Sequence, residues 1–264
     1  MAFPYNMKVV VSGKQVEVYK YTKNVWRDFE RTQASVKTKP VKEPKQLDIF
    51  EKIKQQKQKQ EFSVHRTRTE IRRLINSNPQ LNKFMTLTFA ENITDLKQAN
   101  YEFNKFVLRL SYKYPNFEYL AVPEFQKRGA VHYHVICNLP FVHYNEIFET
   151  WGQGKIDIKK VKDVTNLGAY VCKYLGKDMF DERTFGKKKF FRSQTLSEAK
   201  ELFGYMAQLF IKKFLALATP VFEKVFNSEW TGEVTYQAYT LDSLPLMNGL
   251  FEKLFFKGRY DPAR

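Results

Sequence analysis

The sequence predicts an α+β fold, and three observations predict it. Between Phe84 and Val161, runs rich in β-branched and aromatic residues alternate with stretches of helical apolar period, in the order strand, helix, strand, strand, helix, strand. The middle two strands are joined by only Lys127-Arg128-Gly129, which suits a hairpin with Gly where a positive φ is needed. Hydrophobic residues make up 43% of the 264, enough to bury a core. That element order is the ferredoxin-like (RRM-like) split βαβ pattern: one antiparallel sheet with helices on one face.

The elements follow from local signals. Lys8–Val11, a turn at Ser12-Gly13-Lys14 and alternating Val16, Val18 and Tyr19 read as a hairpin over 8–21. Two prolines and many lysines make 35–48 a linker. Residues 49–76 are charged and Gln-rich with sparse apolar positions. They read as a basic helix or pair of helices (Arg66, Arg68, Arg72, Arg73), either solvated or along nucleic acid, with the solvated face preferred. Phe84–Phe89 alternates as a strand. Thr94 or Asp95 caps a helix through Tyr112, with Leu96, Ala99, Phe103, Phe106, Val107 and Leu110 on one face and Pro115 beyond its end. Strands at 117–125 and 131–138, a short helix at Tyr144–Trp151, a strand at Lys155–Val161 and a helix at Val164–Lys177 complete the pattern. Ser197–Leu217 reads as an apolar helix packed on this core, and Val234–Tyr239 as one more strand. The resulting division is a hairpin and linker at 1–48, a basic helical segment at 49–80, a catalytic domain at 81–217 and an extension at 218–264.

Composition narrows the function. Lys and Arg total 44 against 28 acidic residues, a formal charge of +16 that attracts polyanions. With aromatics at 16%, able to stack on unpaired bases, single-stranded nucleic acid is the expected partner. Cys137 and Cys172, both in apolar stretches, exclude a disulfide scaffold and point to a reducing cytoplasm. No uncharged apolar run approaches the roughly 20 residues of a membrane-spanning helix, so no membrane partner is expected. Met1–Lys20 has no signal-peptide pattern.

Two of the chain's four histidines, His132 and His134, stand two apart on a strand and so face the same way. Closing the hairpin pairs Gln126 with Ala130 and sets Glu124 opposite His132, on the same face. Glu124, His132 and His134 then form a carboxylate–imidazole cluster suited to Mn²⁺ or Mg²⁺, with zinc as a further option. Pro123 marks a sheet edge or a bulge; in this register its missing N–H points away from the hairpin partner, whereas a bulge would turn Glu124 aside. Further along, Tyr170, Lys173, Tyr174 and Lys177 share one helical face beside an apolar stripe of Val164, Leu167, Val171 and Leu175. Core packing accounts for a histidine pair or for these tyrosines equally well when each is taken singly. The lysines beside the phenols favour chemistry, because a free phenol titrates near about 10 and needs cationic or metal help to attack.

A threonine-bearing strand (Phe84–Phe89), a His-hydrophobe-His strand and a downstream Tyr-x-x-Lys-Tyr helix, in that order, resemble the motifs of the HUH endonuclease superfamily. The closer resemblance is to rolling-circle replication initiators of bacterial plasmids and single-stranded DNA phages, over roughly residues 66–215. It implies an endonuclease that nicks single-stranded DNA at an origin, leaving a 5′-phosphotyrosine link and a free 3′-hydroxyl. Carried over, His132, His134 and Glu124 are metal ligands, Tyr170 is the first nucleophile, Tyr174 the second, and Lys173 meets phosphate or steadies the phenolate. Lys187, Lys188, Lys189 and Arg192 are similar to a basic stretch that follows the tyrosine helix in phage-type members. With Lys177, Lys127 and Arg128 they are the candidate DNA contacts. No G-x-x-x-x-G-K-[ST] loop occurs, so a helicase, like the polymerase, would come from the host, in a bacterial cytoplasm. A relaxase or transposase of the same catalytic class, and a non-enzymatic ferredoxin-like nucleic-acid binder stacking bases on a pair of sheet aromatics, are the alternatives.

Overall fold

The structure, a computed structural model, describes residues 3–27, 48–161, 166–174, 183 and 186–241, with the backbone alone at 49, 50, 52, 173 and 174. Apart from Asp48, the linker expected at 35–48 lies outside the described residues. The chain divides into two compact units, one formed by 46–198 and the other by 1–45 with 199–264. No helix among the described residues is long and apolar enough to cross a membrane.

In the unit of residues 46–198, the elements in chain order are α1 (Ile49–Ser77), β3 (Lys83–Thr88), α2 (Leu96–Lys113), β4 (Tyr119–Phe125), β5 (Val131–Cys137), α3 (Tyr144–Trp151), β6 (Ile156–Lys160), α4 (Leu167–Tyr174) and β7 (Phe191–Arg192). Here β1 (Phe3–Ser12) and β2 (Gln15–Arg27) belong to the other unit. The sheet order is β6-β3-β5-β4-β7. β3 and β4 both run antiparallel to the β5 between them, and β5 and β6 both run antiparallel to β3. This is the split βαβ arrangement, extended by β7 at the β4 edge.

Side-chain alternation gives the sheet two apolar faces. Met85, Leu87, Ala121, Val131, Tyr133 and Val135 pack on one side against Leu96, Ala99, Phe103, Phe106 and Leu110 of α2 and Ile147 and Trp151 of α3. Those five α2 positions recur every three or four residues, which aligns them on one helical face. Asp95 starts this helix, its carboxylate accepting from the backbone N–H groups of Lys97 and Gln98 at 3.0 and 3.3 Å. Each fully buried side chain of this kind contributes about 1.5–3 kcal/mol relative to exposure.

The opposite face carries Leu120, Val122 and Ile136, covered by Val64, Ile71, Leu74 and Ile75 of α1 and Val171 of α4. The preference for a solvated segment at 49–76 is therefore corrected for the C-terminal half of α1. Val64, Thr67, Ile71, Leu74 and Ile75 form a helical stripe, each no more than 9% exposed. That stripe closes over the sheet, while the Lys- and Gln-rich first half of the same 29-residue helix stays in solvent.

The second unit is a sheet of order β8-β1-β2-β10-β9, with β8 at Lys200–Phe203, β9 at Phe222–Ser228 and β10 at Gly232–Thr240. The β1–β2 hairpin and the β10 strand stand where the alternation predicts them. The single helix expected over Ser197–Leu217 does not form. Lys200–Phe203 pairs along β1 and buries Leu202, and the chain then turns into α5 (Gly204–Phe210), continued by a π-helical turn to Leu215. The free edge of β1 gives this stretch backbone partners that a helix would have supplied internally. Its apolar residues join Val9, Val11, Val16 and Val18 in this unit's own core.

Candidate metal centre and tyrosine helix

The hairpin loop sets the geometry of the site. Gln126 N–H donates to the Ala130 carbonyl at 2.8 Å, and Gly129, at φ +89°, donates to the Gln126 carbonyl at 2.8 Å. A β-carbon is disfavoured at that φ, so glycine closes the turn. From this anchor the β4–β5 register runs unbroken, pairing Glu124 with His132, Pro123 with Tyr133 and Val122 with His134. The bulge that Pro123 allowed is absent. β7 pairs with β4 only at Leu120 and Ala121, so Pro123 lies on an unpaired stretch of that edge. β3 lies on the other side of β5 and sets Thr88 opposite His132 and Thr86 opposite His134.

Glu124, His132 and His134 converge. His132 Nε2 is 2.9 Å from Glu124 Oε2, His134 Nε2 is 2.6 Å from the same oxygen, and the two Nε2 atoms are 3.0 Å apart. The side chains are 13–15% exposed, sheltered but reachable. Burial pushes the Glu124 carboxyl up, but hydrogen bonds to both imidazoles, with their charge, outweigh it and hold its pKa at about 2. The carboxylate is thus kept ionised, as a metal ligand must be. One carboxylate oxygen and two imidazole nitrogens can hold Mn²⁺, Mg²⁺ or Zn²⁺. Donors about 2.1 Å from one ion stand about 3.0 Å apart in octahedral coordination and about 3.4 Å apart in tetrahedral coordination, so the observed spacings favour the octahedral metals.

Two further residues hold His134. Thr86 Oγ1 lies 3.2 Å from its Nδ1, and the Phe84 ring stacks on it with centroids 5.5 Å apart. His132 Nδ1 is buried and has no hydrogen-bond partner among the described residues.

α4 packs on the face that carries the histidines, through Val171 and Leu167 against Leu120, Val122, Ile136 and Phe84. α1 clamps its first turn. The Asn76 side-chain carbonyl accepts from Gly168 N–H at 2.8 Å, and the Asn76 amide donates to Asn166 Oδ1 at 3.0 Å. Asn166 Oδ1 also accepts from Ala169 N–H at 3.0 Å, capping the helix. The helices approach so closely that a β-carbon at residue 168 would collide with the Arg72 carbonyl oxygen, so only glycine fits. Tyr170, on this clamped turn, is 41% exposed. Lys159 of β6 is held protonated mainly by its 2.8 Å ion pair with Asp157, with the Tyr170 phenol adding to the effect.

The side chains of Lys173 and Tyr174, and the whole of Lys177, lie outside the described residues. Among the candidate DNA contacts, Lys187 and Lys188 are exposed, with the Lys188 ammonium 5.0 Å from the Phe191 ring centre. Arg192 is engaged in an ion pair with Glu198, and Lys189 is partly buried. Arg128 donates to the Phe89 carbonyl at 2.8 Å and to Gln126 Oε1 at 3.0 Å, bracing the hairpin, whereas neighbouring Lys127 is exposed.

Sequence reasoning missed the Asn76–Asn166 clamp and Arg183, whose guanidinium lies over the Phe125 ring at 3.8 Å, one residue from Glu124. No local pattern announces either. Thr86 was visible only as part of a threonine-bearing strand. The aromatic pair that a base-stacking binder needs is also missing beside the histidines. Tyr133 is fully buried on the other face, stacked on Phe103 with its hydroxyl donating to Asn100 at 2.7 Å.

An antiparallel sheet presenting a carboxylate and two imidazoles, with a clamped tyrosine helix over the same face, defines a nucleic-acid-processing class of site more readily than a simple binding sheet. The family model for replication-associated proteins of the ORF2 type matches residues 82–179, from the start of β3 through α4, and supports a replication-initiator family for this part of the chain. No curated protein and no solved structure matches the chain.

Proposed function

We propose that this protein starts rolling-circle replication by nicking single-stranded DNA at an origin, with Glu124, His132 and His134 holding Mn²⁺ or Mg²⁺ and Tyr170 as nucleophile. The observation that carries the reading is the convergence of those three donors within 3.0 Å of one another on the face over which α4 is clamped. A divalent ion bound there supplies Lewis-acid polarisation of the scissile phosphate. The Tyr170 phenol oxygen forms a bond to phosphorus as the bond from phosphorus to the 3′-oxygen breaks. The phenol proton leaves to solvent, and the departing oxygen takes one up as the free 3′-hydroxyl. The phosphotyrosine ester keeps the energy of the broken bond, so the strand can be rejoined without ATP. Lys159 contributes positive charge on the Tyr170 side, and Lys173 is the helix cation expected to meet phosphate. Tyr174 would take part in a closing transfer. The partners that follow are single-stranded DNA and the host's helicase and polymerase.

The test is to incubate the protein with Mn²⁺ and single-stranded oligonucleotides tiling its gene and flanking sequence, and to resolve products under denaturing conditions. A protein–DNA adduct and a 3′-hydroxyl fragment, both abolished by chelation, are expected. DNA that is retained but never cleaved would favour the non-enzymatic binder instead.

A further inference from the structure

We propose that Thr86 is a positioning residue for the metal centre, holding His134 in the tautomer and ring orientation that offer Nε2 to the ion. The inference rests on the metal reading of Glu124, His132 and His134 and adds to it that the two histidines are unequal ligands. β3 brings Thr86 opposite His134, with its Oγ1 3.2 Å from Nδ1. A neutral imidazole carries one proton, so when Nδ1–H donates to the threonine oxygen the Nε2 lone pair is free. That Nε2 faces the Glu124 carboxylate at 2.6 Å, and Phe84 stacked on the ring limits its rotation. His134 is therefore held at one nitrogen and across one ring face before any ion arrives.

His132 has no such support. Thr88 stands opposite it in the same register, yet His132 Nδ1 is buried without a hydrogen-bond partner among the described residues. Its ring is oriented only through Nε2, by Glu124 and His134. Outer partners that fix an imidazole ligand typically change metal affinity by 10–100-fold when removed. Two threonines on one strand, each opposite a histidine, should thus differ sharply in their effect on metal binding.

Mn²⁺ is titrated onto the full chain by calorimetry and by loss of the free-ion electron paramagnetic resonance signal, so that affinity is read without any cleavage assay. Thr86→Val should weaken Mn²⁺ binding by about 10–100-fold. Thr86→Ser, which restores the hydroxyl, should bind close to wild type, and so should Thr88→Val. Circular dichroism identifies variants that have not folded, and the serine variant separates loss of the hydroxyl from loss of strand packing. Wild-type affinity in Thr86→Val overturns the inference while leaving the metal reading intact, as does an equal loss in Thr88→Val. A wild-type protein that binds no Mn²⁺ overturns both.

Discussion

Asn76, at the end of α1, and Asn166, at the start of α4, are joined by a 3.0 Å side-chain hydrogen bond across 90 residues of sequence. Through this bond and the neighbouring acceptance from Gly168 N–H, a helix outside the matched family region orients the helix that carries Tyr170. Asn76→Ala leaves the Gly168 N–H and the Asn166 carbonyl without their partner and should lower stability by about 1–3 kcal/mol in denaturant titration. Gly168→Ala should be at least as damaging, because the Arg72 backbone cannot yield as a flexible side chain would. Both variants should lose adduct formation yet keep Mn²⁺ affinity, since the three donors stand on the sheet. If either formed the adduct at the wild-type rate, α1 would not be positioning the tyrosine.

Glu124 predicts a pH dependence of stability in the metal-free protein. Its folded pKa of about 2 lies below the ordinary 4.5, because the imidazole hydrogen bonds outweigh the cost of burial. A depressed carboxylate stabilises the fold above its unfolded pKa, and that contribution is lost as pH falls through the folded one. Thermal melts of wild type and Glu124→Gln should therefore converge as pH drops from 4.5 towards 2 and keep a constant separation above 5 to the extent that Glu124 alone titrates. A separation that does not change across the acid range would show that the carboxylate is not held down by the histidines.

Lys187 and Lys188 are exposed side chains just beyond the tyrosine helix. On single-stranded DNA each phosphate they neutralise contributes about 0.7 to the slope of log affinity against log salt. Replacing both with Gln should flatten that slope by about 1.4, measured by fluorescence anisotropy on one oligonucleotide between low and moderate salt. An unchanged slope would show that these lysines are solvated and make no phosphate contact. Arg192, already paired with Glu198, should contribute less than either.

Much of the site was legible because its parts are local. The three-residue loop at Lys127–Gly129 fixes the register, the register sets Glu124 across from His132, and strand alternation does the rest. The helical stripes of α2 and α3 were equally plain, since both carry strong apolar periodicity on one face. What escaped depends on distant partners. The stripe of Val64, Ile71, Leu74 and Ile75 is diluted by the charged half of the same helix, and only the sheet beneath reveals it as core. Lys200–Phe203 is apolar enough for a helix, and the open edge of β1 decides that it is a strand. The Asn76 clamp joins residues whose types occur in any loop, with nothing in either neighbourhood to link them.

The most direct test of the tyrosine mechanism is mass spectrometry of the DNA-linked tryptic peptide formed with Mn²⁺, comparing wild type with Tyr170→Phe and Tyr174→Phe. The Phe variants keep the ring and its packing and remove only the attacking hydroxyl. The expected result is an adduct on Tyr170 in the wild type, its loss in Tyr170→Phe, and a first cut that survives in Tyr174→Phe. An adduct on Tyr174 with Tyr170→Phe fully active would reverse the order of the two phenols. Undiminished cleavage in both variants, with no phosphotyrosine peptide, would contradict the tyrosine mechanism itself.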